Sequence, residues 1–246
     1  MFRKCPGYEC AWRNFRSPQI IANGGLGEGR QLPARLVAAK LECQSMETSI
    51  PALKAEIASS AARIVVEEGL DYGPAKRRAV KHLGLPARTP LPANDELEDA
   101  VIEYIAIFCA DTQPFELAAL RHLALRWMER MAQFRPHVSA AVWRGTATRR
   151  SDIHIELFCD DSKSAEIALI DLKVAYEPRT VTGMRRDAID TLSVHDFCPG
   201  LDEMVGVHLW VYDYDDLRGA LRLDGKGRAP RGDICSLRRM LQNPAP

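Results

Sequence analysis

The segment Asp152-Ile153-His154-Ile155-Glu156-Leu157-Phe158 constrains this chain most. Side chains of a strand alternate between its two faces. Ile153, Ile155 and Leu157 therefore point one way, into a core. Asp152, His154 and Glu156 point the other way, stacked in one row. Two carboxylates and an imidazole on one sheet face either meet solvent or line a site. Two later segments repeat the arrangement. In Thr191–Phe197, Leu192 and Val194 alternate with Thr191, Ser193 and His195. In Val205–Tyr212, Val207, Leu209 and Val211 alternate with His208, Trp210 and Tyr212. Three strands thus offer one polar face of imidazoles, carboxylates and aromatics, which suits either a ligand pocket or a solvated antiparallel sheet.

Upstream of Asp152 the chain reads Val142-Trp143-Arg144-Gly145-Thr146-Ala147-Thr148-Arg149-Arg150-Ser151. An apolar strand, Val138 to Trp143, runs into Gly145-Thr146, and Ser151-Asp152-Ile153 opens the next strand. This pattern resembles the nucleotidyltransferase superfamily: an apolar strand, Gly-Ser, a short connection, then Ser-Asp-x-Asp. The resemblance spans Val138 to Asp161 and extends loosely to Asp216. It departs from the family at the second carboxylate, which falls on His154. It implies a mixed sheet with helices on one face and transfer of a nucleotidyl group from a nucleoside triphosphate. It places Asp152, Glu156 and His154 in catalytic positions and Gly145, Thr146 and Arg149 beside the phosphates. Mg²⁺ would be held by Asp152, Glu156 and Asp213. Hard Mg²⁺ prefers oxygen ligands, which His154 lacks. Asp213 shares the parity of Val207, Leu209 and Val211. The alternative is a non-catalytic nucleotide-binding or protein-interaction module on the same fold. No Gly-x-x-x-x-Gly-Lys-Ser/Thr occurs, so ligation of the Mur-ligase type has no phosphate loop.

The rest of the chain supplies an α+β frame. Leu53, Ile57, Ala61, Ile64 and Val65 recur at helical spacing between Pro51 and Gly69. Gly73-Pro74 starts a second helix, which Gly84 and Pro86 stop. Helices follow from Asn94 or Asp95 and from Thr112 to Phe134, where Pro136 breaks the pattern. Strands are expected at Val138–Trp143, Ile153–Cys159, Lys173–Tyr176, Thr191–Phe197 and Val205–Tyr212. Helices are expected from Asp161-Ser162 to Ile170, at Leu217–Leu221 and at Asp233–Leu241. Strands interleaved with helices after Pro136 favour an α+β layer. The expected organisation is an extension over residues 1–45, a helical region over 46–135 and an α+β domain over 136–246.

Residues 1–45 mix Cys, Gly, Pro and Arg without period and read as disordered, with Met46 as a candidate start. They carry seven basic and three acidic residues, whereas the remainder carries 26 basic and 30 acidic ones. A mildly acidic folded part argues against broad nucleic-acid binding. The longest apolar run, Tyr104 to Ala110, is too short to span a bilayer. Seven cysteines, with no Cys-x-x-Cys pair, fit a reducing cytoplasm.

Overall fold

The polar and apolar rows of Ile153–Cys159 are both realised in a computed structural model that describes residues 34–243, with side chains from Ile50. The expectation for residues 1–45 falls outside the described residues, except for helical backbone from Ala34. The description below concerns the unit formed by residues 46–246.

The fold is α+β, with eight helices and a mixed six-stranded sheet among the described residues. Helices α1 (Ala34–Glu68), α2 (Tyr72–His82), α3 (Asn94–Phe108) and α4 (Gln113–Arg130) come first. Then come β1 (His137–Ser139), α5 (Ala140–Arg144), β2 (Ile153–Cys159), α6 (Ser162–Asp171), β3 (Glu177–Thr182), β4 (Ala188–Cys198) and β5 (Glu203–Asp213). Helix α7 (Leu217–Ala220), strand β6 (Arg231–Gly232) and helix α8 (Ile234–Gln242) close the chain. The strand order is β3-β4-β5-β2-β1-β6. Strand β2 runs parallel to β5 and antiparallel to β1, and β5 is antiparallel to β4.

The register explains the sheet's two faces. Ile153 pairs Val207, Ile155 pairs Leu209 and Leu157 pairs Val211. These six residues are buried with Leu192 and Val194 of β4 under α4, α6 and α8, which contribute Leu120, Trp127, Leu169 and Leu237. A second apolar cluster belongs to α1–α3, with Ile57, Ile64, Ala79, Leu97 and Val101 at its centre. Asp161 caps α6 by accepting from the Lys163 amide, and Asp233 caps α8 by accepting from the Ser236 amide. Each cap satisfies a backbone donor that the first helical turn leaves unpaired.

Two expected strands differ in the structure. The apolar stretch Val138–Trp143 is a strand only to Ser139. At Ala140 the chain enters the left-handed region with φ 54, and α5 follows. Ala140-Ala141 favours helix, so apolar character alone misassigned the stretch. Lys173–Tyr176 is not a strand; the strand is Glu177–Thr182, an almost wholly exposed edge that carries no alternating signal. Among the described residues, no helix is long and apolar enough to cross a membrane.

Candidate functional site

The polar row of β2 is continued by the polar rows of its neighbours. His154 pairs His208, and Glu156 pairs Trp210, across the parallel ladder. Ser193 pairs His208, and Thr191 pairs Trp210, across β4 and β5. The imidazoles of His154 and His208 lie with ring centroids 5.3 Å apart. His154 also lies 6.0 Å from the Trp210 ring. His195 shares this face but is exposed, opposite Gly206.

His208 is held from both sides. Its Nε2 donates to Asp152 Oδ2 at 3.2 Å, and its Nδ1 shares a hydrogen bond with the Ser193 hydroxyl at 2.9 Å. Both ring nitrogens of His208 are thus engaged. The His208 hydrogen bond holds the Asp152 carboxyl below its ordinary pKa, and the charges of His208 and His154 add to that. Burial pushes His154 in the neutral direction, reinforced by His208 and opposed by Asp71 and Asp152. A Cβ on Gly206 would stand 2.6 Å from Asp152 Oδ1, so glycine there leaves room for the carboxylate.

Above this end of the sheet is a cavity of about 560 Å³. Its walls include Asp71 from the α1–α2 connection, Tyr72 from the start of α2, Ala140, Ala141 and Arg144 from α5, Asp152 just ahead of β2, and His154 and His208 from the sheet. The α1–α2 connection lies close because Gly69 has no side chain. A Cβ there would fall 2.1 Å from the Arg150 carbonyl oxygen, and Gly69 adopts φ 71. Ligand sites commonly enclose about 300–1,000 Å³, so the volume suits a small molecule.

The expected site residues divide. Asp152 and His154 line the cavity. Glu156 is buried and paired to Arg231, which reaches it from β6. Ser139 also bonds the Glu156 carboxyl, yet burial outweighs these partners and raises its pKa. Asp213 stands at the opposite end of β5, where it pairs Cys159 and accepts from the Asp215 amide. With about 3.3 Å of rise per strand residue, that places it roughly 20 Å from Asp152. Gly145 closes α5 with φ 88, and its carbonyl accepts from Gln113 Nε2 at 3.0 Å. Thr146 is buried beside Tyr72. Arg149 is engaged by Glu203 at 2.7 Å, while its amide donates to Glu116. The turn that directly follows the first strand is Ala140-Ala141, and these residues, unlike Gly145 and Thr146, wall the cavity. A left-handed alanine leaves no signature in a sequence, which is why this turn was missed. Asp71 was missed because it lies in a loop far from β2, in no motif.

The donor set does not fit Mg²⁺. Of the three carboxylates the resemblance would place on the metal, only Asp152 reaches the cavity, and one of its oxygens already accepts from an imidazole. Among the described residues, no group of three or more His, Cys, Asp or Glu side chains is disposed to hold a metal ion.

No family model and no curated protein matches the chain. Among solved structures it is similar to the Cid1 poly(U) polymerase with MgGTP bound, at 12% identity and a TM-score of 0.29. The alignment covers 39% of this chain and 32% of that one, so the chain spans about a third of that structure. An overlap so partial does not bear on the site.

Proposed function

We propose that this chain is a nucleotidyltransferase-like ligand-binding module whose site does not run two-metal nucleotidyl transfer. One observation carries the reading: the three carboxylates that would hold metal are dispersed. Asp152 lines the cavity, Glu156 neutralises Arg231, and Asp213 caps a turn at the far end of the sheet. Two-metal phosphoryl chemistry needs convergent carboxylates to clamp the ions on both reacting oxygens. His154, where the second carboxylate would stand, pairs with His208 instead.

Calorimetric titration with ATP, GTP, CTP and UTP, each with and without Mg²⁺, tests this. The expected result is no Mg²⁺-dependent binding and no pyrophosphate release. Mg²⁺-dependent binding that disappears in a folded Asp152→Asn protein would overturn it. That outcome would restore nucleotidyl transfer with Mg²⁺ on Asp152.

A further inference from the structure

The charges around the cavity do not balance. Its charged lining residues are Asp71, Asp152 and Arg144. Arg144 donates to Glu98 at 2.6 Å, and Glu98 is only 1% exposed, so this cation is neutralised inside the wall. Lys76, behind Asn94, donates to the Pro92 carbonyl at 2.8 Å and to Asn94 Oδ1 at 2.7 Å. Neither acid has a comparable partner among the described residues. Asp71 stands at the start of α2 without accepting a capping hydrogen bond, and Asp152 pairs only with His208. Asp71, Asp152 and His154 all line the same cavity.

The carboxylate that holds Arg144 lies behind the cavity wall. Glu98 Oε1 is buried and has no hydrogen-bond partner, although Glu98 Oε2 receives both Arg144 and Arg228. Glu98 follows Asn94 by one turn of α3, on the same face, behind the cavity lining rather than in it. The charged lining groups without a Lys or Arg partner are therefore the two acids. A phosphate would meet two carboxylates here, with Arg144 already paired to Glu98 and Lys76 set behind Asn94. A positive group would meet carboxylates, imidazole nitrogens and the Tyr72 ring, whose face attracts cations.

We infer that the cavity takes a small organic cation, with an ammonium or guanidinium head held by Asp71 and Asp152. This rests on reading the cavity as a binding site. Methylguanidinium is the probe, methylurea its neutral counterpart and ATP the anionic one, each titrated into the full chain. Binding is followed by calorimetry and by the ring NMR signals of His154 and His208. Methylguanidinium should shift both rings saturably, with methylurea at least about tenfold weaker. Asp71→Asn and Asp152→Asn should each weaken the cation by roughly threefold to tenfold, the range for partly screened ion pairs. Unchanged circular dichroism shows that each variant folds. Equal binding of methylurea, undiminished binding by both variants, stronger binding of ATP, or no saturable shift would each overturn the inference. Its failure alone leaves the module reading in place, whereas Mg²⁺-dependent nucleotide binding removes that reading as well.

Discussion

The two ends of one sheet face follow different rules. At the Asp152 end, Asp152, His208 and Ser193 form a hydrogen-bonded row, with the His154 ring beside His208 in the wall of a cavity. At the other end the same alternation delivers Phe158 and Tyr212, stacked with centroids 5.7 Å apart and buried with Ile189 and Ala220. Between them lies the buried pair of Glu156 and Arg231. Alternation decides which residues share a face; the elements laid over that face decide what they do. Helix α7 and residues of β3 and β4 cover one end with apolar side chains, whereas the α1–α2 connection and α5 wall a cavity at the other.

Breaking the shared frame has the largest expected effect. Ile155→Asp puts an unpaired carboxylate at 0% exposure under both ends, and should unfold the protein at a cost of several kcal/mol. Circular dichroism reads this directly, and a native spectrum with an unchanged melting temperature would show the parity to be wrong. Next comes the boundary. Arg231→Met strands Glu156 and should cost about 3–5 kcal/mol, while Arg231→Met with Glu156→Leu should recover most of that loss. Equal losses in the single and double variants, by urea denaturation, would mean that the pair does not separate the two ends.

A smaller effect is tied to pH. Burial lowers the pKa of His154, and also that of His137 beneath the closed end. Both states hold neutral rings well above the ordinary value of about 6.5. Below that value the unfolded chain takes up protons first, so stability falls as pH drops. Melting temperature should therefore decline from pH 7.5 to 5, and His154→Asn should flatten the decline. An unaltered slope in that variant would place the proton-linked strain elsewhere. The smallest change concerns the cavity wall. Ala140→Gly relieves a left-handed alanine at φ 54 and should stabilise by up to about 1 kcal/mol. A loss of stability in thermal melts would mean that the Ala140 methyl contributes packing that outweighs its strain.

What the sequence disclosed was what lies close along the chain. Period-two alternation located β2 from Ile153 to Cys159, and Asp161 and Asp233 marked the starts of two helices. It also placed Ser193, His208 and His154 on one face, because parity survives any strand order. Pairing did not survive it. The match of Glu156 with Arg231 joins β2 to a two-residue strand that carries no pattern. The separation of Asp213 from Asp152 follows from the parallel register of β2 and β5. The approach of Asp71 depends on an absent side chain at Gly69. Each is a fact of tertiary arrangement, decided by partners far away in the chain.

The parallel pairing of β2 with β5 also has a kinetic meaning. Strands β4 and β5 are consecutive and antiparallel, so they can zip early through a short connection. Strand β2 must wait for that hairpin, because closing the longer loop to β5 costs entropy before its contacts reward it. His154 and His208 therefore meet late in folding, when the central strand is inserted. Amide exchange in β2 should report on opening of the whole unit, with no cheaper local route to freeing the imidazole pair.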